Sequence, residues 1–479
     1  MHFGNTRKWQ GRFLLLVVLI LLSLQPGAFQ DPASPLPPAE FRFLERWVHG
    51  LECWALRFPI MSFLIRPIIY TMFSVRETVE YNWGPAIARK RELFGDSFCG
   101  AGAVFLTSFD QVQEALLEPQ ARTARLGTNY LDPDHLPMLP REGRLLFLLA
   151  LSDEGAGGDG TREGVYGALT EFVTNHPDSF ARQDDATTAQ LFQNIKDDYL
   201  ALGHTEEFQT RHSDFVLRYM HYVAFGIDPF DEAKIDVLRE LHYTTFSTAF
   251  HFEHLGNILD LFQPAWDRLF EEAADIYMNS PALQNFPEND PAYANLSREE
   301  FAWAASAAFS VAGLPGPNSA LSVALGFQEF HNDFWDHNKV PVIDVTEYWD
   351  TLDLTDRDEV LRYLLETMRL RTPVTASHRV VTAAEEFTVP MRSGPSTFPA
   401  GTDVIISLTT AMTDYKKWGD TVWEFDMDRP GLVENHMAFH SVGDLTGGRM
   451  CPARTIALKF IVDDLIALGE VRRMPGFPG

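Results

Sequence analysis

The sequence predicts a mostly α-helical chain with a small β region late in it, an α+β class built as one domain. Three observations lead there. Segments from the glycine-rich stretch near residue 160 up to Leu370 read as helices, as in "RHSDFVLRYMHYVAFGI", "DEAKIDVLRELHYTTF" and "AWDRLFEEAADIYM". Between Pro373 and Thr410 the texture changes: "SHRVVTAAEEFTVP" and "TDVIISLTT" are short and β-branched, as strands are. Finally, 46% hydrophobic and 22% charged residues over 479 positions is ordinary globular composition, with ample material for a core.

In chain order, Arg7, Lys8 and Arg12 precede the apolar run Phe13 to Leu24, which is followed by "QPGA". A basic flank, a short apolar run and small residues describe a signal peptide. Twelve residues is short against the ~20 of a membrane span. No strong small-residue cleavage site follows, so an uncleaved signal-anchor stays open. We assign residues 1–29 to this segment, 30–40 ("QDPASPLPPAE") to a Pro-rich linker, and 41–479 to the folded body. A second apolar stretch, Trp54 to Phe73, is interrupted by Arg57, Arg66 and two prolines, and reads as interfacial or buried. "SDEGAGGDGTREG" (152–164) reads as a flexible loop.

Two helices can be placed closely. "SREEFAWAASAAF" opens on Ser297 with Glu300 three residues on, a capping-box pattern. "TDRDEVLRYLLETMRLRTP" has Thr355 as its expected N-cap and stops before Pro373. On the latter, Glu366 and Arg369 share a face at i and i+3. Taken alone they read as a surface ion pair, worth under ~1 kcal/mol.

The charge balance is 39 basic against 66 acidic residues, a net −27. That argues against nucleic acid, which needs basic stripes. Three cysteines make no disulfide framework. Cys53 and Cys99 could pair in an oxidising compartment, leaving Cys451 odd; three reduced thiols is the preferred reading. Cys451 lies in "GGRMCPAR", with Arg449 two residues before and Arg454 three after, and nearby positive charge lowers a thiol's pKa.

From Leu361 to Leu468 these pieces form an ordered set. "LLETMRLRTP" is followed by "HRVV", "FPAGTDVIISLTTAMTD", "WGD", "EFDMDRP" and "GGRMCPARTIA". In order and spacing this resembles the cytochrome P450 family of heme-thiolate monooxygenases. The family's E-x-x-R matches Glu366 and Arg369, its F-x-x-x-R segment Phe425 and Arg429, and its heme-binding run Gly447, Arg449, Cys451 and Ala453. The resemblance implies a heme b cofactor with Cys451 as the axial thiolate, which favours O–O cleavage. It implies that Arg379 and Arg449 hold heme propionates, a bidentate task suited to Arg. Glu366, Arg369 and Arg429 would form a buried structural network beneath the cysteine loop.

The chain also departs from the family. The Phe expected seven residues before the cysteine is Asp444; with a two-residue insertion, Val442 falls at that place. The central helix, which carries A-G-x-D/E-T in the family, reads "VAGLPGPNSAL". Ala312 and Gly313 match, Pro315 stands at the acid and Gly316 at the alcohol. Prolines inside a helix break or kink it. Asn318 and Ser319, about one turn further on, are the candidates for the lost proton relay, or polar residues re-satisfying a broken helix. The family's W-x-x-x-R is missing from "DGTREGVYGAL", where Arg162 is the nearest arginine.

The resemblance thus implies a membrane-anchored monooxygenase that takes electrons from an NADPH-dependent reductase. The broken acid–alcohol position keeps open an isomerase, dehydratase or peroxide user that needs no reductase. A binding protein without activity is the third reading. Candidate pocket positions lie around Phe309, Ala312 and Val374 to Ser377, residues that would equally serve as ordinary core; their apolar character suggests a lipophilic substrate from secondary or lipid metabolism. A monomer at the endoplasmic-reticulum membrane is expected, its body facing the cytosol. Asn295-Leu296-Ser297 is a glycosylation sequon, which a cytosolic body leaves unmodified. The alternative is the secretory pathway after signal cleavage.

Overall fold

The computed structural model describes residues 49–50, 53–54, 56–57, 91, 94–100, 103–117, 126–127, 168–172, 181–252, 263–293, 295–327, 344–374, 376–381, 387–400, 402–440, 450–451 and 453–478. The N-terminal apolar run, the linker, most of the second apolar stretch, the 152–164 loop with Arg162, and residues 441–449 with Arg449 lie outside them.

The described elements begin with strands β1 (Ser97–Gly100) and β2 (Ala103–Leu106), helix α1 (Phe109–Leu117) and the short strand β3 (Leu126–Gly127). A helical series follows: α2 (Ala186–Leu202), α3 (Glu206–Phe225), α4 (Glu232–Phe252), α5 (Gln263–Met278) and α6 (Arg298–Ala308). A π-turn over Phe309–Gly313 leads into α7 (Pro315–Ala324), then α8 (Val345–Thr351) and α9 (Arg357–Leu370). Strands β4 (Ala376–Val381), β5 (Phe387–Met391), β6 (Gly394–Phe398) and β7 (Asp403–Ser407) come next, then short α10 (Leu408–Met412) and α11 (Tyr415–Trp418), and last α12 (Arg454–Arg472). The α+β class is borne out.

Two details differ from expectation. The β region is not confined to the late segment, because the five-stranded sheet runs β1-β2-β7-β4-β3. β2 lies parallel to β7 with Ala103 opposite Asp403, so the "SFCGAGAVFLT" run near residue 100 completes the late sheet. Its aromatic and β-branched residues were a legible strand signal. Within "TDVIISLTT" the strand stops at Ser407, and "LTT" opens α10.

The central helices pack as a bundle. α12 lies on α2, α7 and α9, and α7 lies on α9 and α3. Polar bonds fix the crossings. His212 of α3 meets Asp464 of α12 at 2.6 Å with both side chains out of solvent. The Tyr363 hydroxyl of α9 donates to Ala324 O at 2.6 Å and sits 3.2 Å from Val345 O. It thereby reaches a carbonyl at the end of α7 that has no partner within its own helix. The capping box at Ser297 and Glu300 forms in full. The N-cap of α9 is Asp356 rather than Thr355: the Asp356 carboxylate accepts from Asp358 N and Glu359 N, while the Thr355 hydroxyl donates to Asp353. Both are good caps, and the carboxylate also faces the helix dipole.

The three-reduced-thiols reading is corrected. Cys53 and Cys99 form a disulfide with Cα atoms 5.2 Å apart. It joins the helical stretch around His49 to β1, and His49 Nε2 accepts from Cys99 N at 3.2 Å while its ring stacks on Phe94. The two cysteines are 46 residues apart, too far for any local pattern to announce the closure. Among the described residues no helix is long and apolar enough to cross a membrane.

Candidate active site

The site is built on α9. Its first turns carry the solvent-facing charges, while from Tyr363 to Leu370 the helix is buried all round, Glu366 and Arg369 fully so. The surface-pair reading of the two residues taken alone is therefore overturned, and the burial is what the resemblance implied. Arg369 grips Glu366 with both prongs, Nε to Oε2 at 2.7 Å and Nη2 to Oε1 at 2.9 Å. Arg429 Nε donates to the same Oε1 at 3.2 Å, and Asp426 N adds a bond at 3.1 Å. One carboxylate serves two guanidiniums, and backbone carbonyls absorb the remaining donors: Met412 O and Glu424 O for Arg369, Trp418 O, Thr421 O and Glu424 O for Arg429. The network thus clamps α9, α10 and the 418–429 segment. A buried pair of this kind needs its hydrogen bonds complete.

From that clamp the chain runs to the cysteine through His436, which no sequence pattern singled out. His436 Nε2 donates to Leu365 O at 2.8 Å, next to Glu366, so its Nδ1 is the acceptor for Ala438 N at 3.0 Å. Phe439 then takes a left-handed φ of 60°, and its carbonyl accepts from Cys451 N at 2.7 Å. Such a backbone is costly outside glycine and persists only where the surroundings impose it. The loop bearing the cysteine is therefore closed between Phe439 and Cys451.

Burial pushes the His436 pKa down to about 3, against the opposing bond to Leu365 O and with help from Arg369 and Arg454. It stays neutral in the fold, whereas the same side chain in the unfolded chain titrates near ~6.5. Between those two values the unfolded chain binds a proton that the folded one excludes, so stability falls as pH drops through that window. His221, pushed down by burial to about 4, adds in the same direction. Replacing His436 with Asn is expected to flatten the pH dependence of unfolding between pH ~4.5 and ~6 by up to about 1.4 kcal/mol per pH unit. Chemical denaturation across that range measures it, and an unchanged slope would remove His436 from the account.

Cys451 is half-buried and precedes α12, with Arg454 N bonded to its carbonyl at 3.2 Å. Burial pushes its thiol up to about 11, against the pull of the Ala453 and Arg454 backbone N–H groups and the Arg454 guanidinium. A thiol so placed becomes a thiolate readily only against a strong cation, and a metal is the strongest available. Arg454 Nε is buried with no hydrogen-bond partner among the described residues. On α7, a Cβ added at Gly316 would meet nothing within 4 Å, so that position faces open space. A free thiol, a guanidinium Nε near it left without a partner among the described residues, and room at Gly316 are features that fit a heme with an axial thiolate. Arg379 is buried on β4, its Nη1 donating to Ser377 Oγ at 2.6 Å.

The break in the central helix takes a definite form. α6 widens into the π-turn, and α7 restarts with Pro315 in its first turn, where a missing N–H costs least. Proline cannot donate the five-residue bond of a π-turn to Ser310 O; His242 Nδ1 lies 3.1 Å from that carbonyl. Asn318 is tied sideways, its Oδ1 accepting from the Ser213 hydroxyl of α3 at 3.1 Å. It lines a pocket with Ser213, Asp214, Arg239, His242 and Leu314. Ser319 is half-buried on α7. Of the two readings of Phe309 the structure shows the core one: it is buried edge-on to Phe225, with Tyr277 and His221 beside it. Val374 is exposed.

The structure thus brings Glu366, Arg369 and Arg429 into one cluster and links it through His436 and Phe439 to Cys451. Sequence reading missed His436 and Phe439, which no motif marks, and noted Arg454 only as a flanking charge.

No family model matches the chain, and no curated protein matches it. Solved structures do. Cytochrome P450 CREJ in complex with (4-ethylphenyl) dihydrogen phosphate is 14% identical, covering 82% of this chain and 90% of its own, at a TM-score of 0.56. Substrate-free CYP109E1 from Bacillus megaterium is 16% identical, covering 78% and 88%, at 0.53. Substrate-free cytochrome P450 CYP150A6 from Mycobacterium marinum is 17% identical, covering 78% and 81%, at 0.50. At these identities the likeness carries the fold, and the fold is that of a cytochrome P450.

Proposed function

We propose, from the cytochrome P450 fold and the residues it gathers, that this chain is a heme-thiolate monooxygenase inserting one oxygen atom of O2 into a lipophilic organic substrate. The observation that carries the reading is Cys451 at the head of α12, joined through Phe439 and His436 to the buried Glu366–Arg369–Arg429 cluster. Heme b would be held by Cys451, with Arg379, Arg449 and Arg454 as the cations for its propionates. When bound, that group supplies oxygen activation, with the thiolate favouring O–O cleavage. An NADPH-dependent reductase would deliver the electrons, and the N-terminal segment would bring the chain to the endoplasmic-reticulum membrane.

The chain's own residues set the rest of the chemistry. Phe439 O and the first turn of α12 hold the Cys451 backbone, and the buried cluster keeps that loop in place. Asn318 lies three residues after Pro315, on the same face of α7 as the missing acid. It shares its pocket with Asp214, Arg239 and His242, so we place the proton path on this face, with Ser319 as its neighbour on the helix. The Ser213 hydroxyl holds Asn318 in one orientation along that path.

The reduced, carbon-monoxide-bound difference spectrum tests the ligation, and its thiolate band is the expected result. Product formed only with NADPH and a reductase supports the monooxygenase; product formed with a peroxide alone replaces it with the second reading. That second reading is favoured by one observation, Pro315 and Gly316 at the positions of the family's acid and alcohol.

Gly316→Thr places an alcohol into the open space there. It should raise product formed per NADPH consumed, though by less than the ~10²–10⁴-fold of a fully positioned proton donor, because Pro315 remains. Thr is a better helix former than Gly, so stability should change by under ~1 kcal/mol. An unchanged product yield would take this position out of the proton path.

A further inference from the structure

We propose that the folded body matures in an oxidising, glycosylating compartment, where Cys53 and Cys99 are disulfide-bonded and Asn295 is an N-glycan acceptor. Three observations of different kinds converge. The first is the disulfide, whose sulfurs sit in the core: Cys99 is fully buried on β1 and Cys53 nearly so. Such bonds form and persist in secretory compartments and are rare in reducing ones. The bond also has a structural task, since it fastens the stretch carrying His49 and Arg57 to β1 of the five-stranded sheet, while Arg57 Nη2 ties the same stretch to Ser396 Oγ on β6 of the two-stranded sheet at 2.8 Å.

The second is the sequon. Asn295 stands exposed in the turn between Tyr293 and α6, at a φ of 57°, with its N–H bonded to Asp290 O at 3.0 Å. The left-handed turn accounts for an asparagine here, and the α6 N-cap accounts for Ser297. Neither role occupies the outward side of the turn, so a glycan is accommodated without moving the core. The third is the N-terminal basic flank and apolar run, which fit entry to the secretory route. A body facing the cytosol is the competing outcome, with free thiols at 53 and 99 and a bare Asn295. The inference also bears on the electron source: the reductase of the monooxygenase reading would have to share the body's compartment, because a cytosol-facing one cannot reach it.

The test is expression of the full chain in a eukaryotic secretory host. Alkylation of the denatured, unreduced protein should label Cys451 and leave Cys53 and Cys99 as one linked peptide pair. A glycosidase should lower the apparent mass, with the modified peptide mapping to Asn295. Asn295→Asp, which keeps the left-handed turn, should abolish the shift, and Ser297→Thr, which keeps both cap and sequon, should retain it. Label on all three cysteines overturns the proposal, and so does an unmodified Asn295. Neither readout depends on heme loading or turnover, so failure here is distinguishable from failure of the monooxygenase reading.

Discussion

Replacing Glu366 with Gln is expected to destabilise the fold by about 3–5 kcal/mol. The amide keeps the volume but leaves Arg369 and Arg429 buried without their shared counter-charge. The cost is that of the orphaned charges, so it is not the stability contributed by the intact cluster. Replacing all three members together by Leu, Met and Met should therefore cost no more than the single substitution, and can cost less. Denaturant midpoints of the two variants make the comparison. A single variant within ~1 kcal/mol of the parent would mean that water reaches the cluster. Because Glu366 also accepts from Asp426 N, its loss should loosen the segment that leads to His436 and the cysteine.

Replacing Cys451 with Ser is expected to abolish the thiolate band of the carbon-monoxide complex and reduce turnover to background. The fold should tolerate it. The bonds from Cys451 N to Phe439 O and from Arg454 N to Cys451 O are backbone bonds that serine keeps. The substituted chain should unfold within ~1.5 kcal/mol of the parent when both lack heme, as expected for a half-buried, near-isosteric change. A thiolate band that survives would remove Cys451 from ligation, and the proposed function with it. Measuring both properties on one preparation separates lost ligation from lost folding.

The two substitutions differ because the residues differ in what they touch. Glu366 is paired with charges that cannot leave the core. Cys451 is held in the described residues through its backbone, and its thiol is free of any disulfide.

Much of this was legible in the chain. Helical spacing marked α3, α4 and α5, and the capping box marked the start of α6, because both signals are local and depend on residues within one or two turns. The ordered set Glu366, Arg369, Phe425, Arg429 and Cys451 marked the site, because its roles demand particular residue types at particular intervals. Pro315 announced a broken helix, because the missing N–H is a property of the residue itself.

Burial and long-range pairing were not legible. Glu366 and Arg369 read equally well as a surface pair, since i, i+3 spacing says that two residues share a face and not which way the face turns. β2 pairs with β7 across 300 positions, Cys53 with Cys99 across 46, and His436 reaches back to Leu365 across 71. Such contacts exist only once the helices have packed, so no window of sequence contains them. Local chemistry marks the residues able to serve a site, and packing decides which of them are buried and clamped.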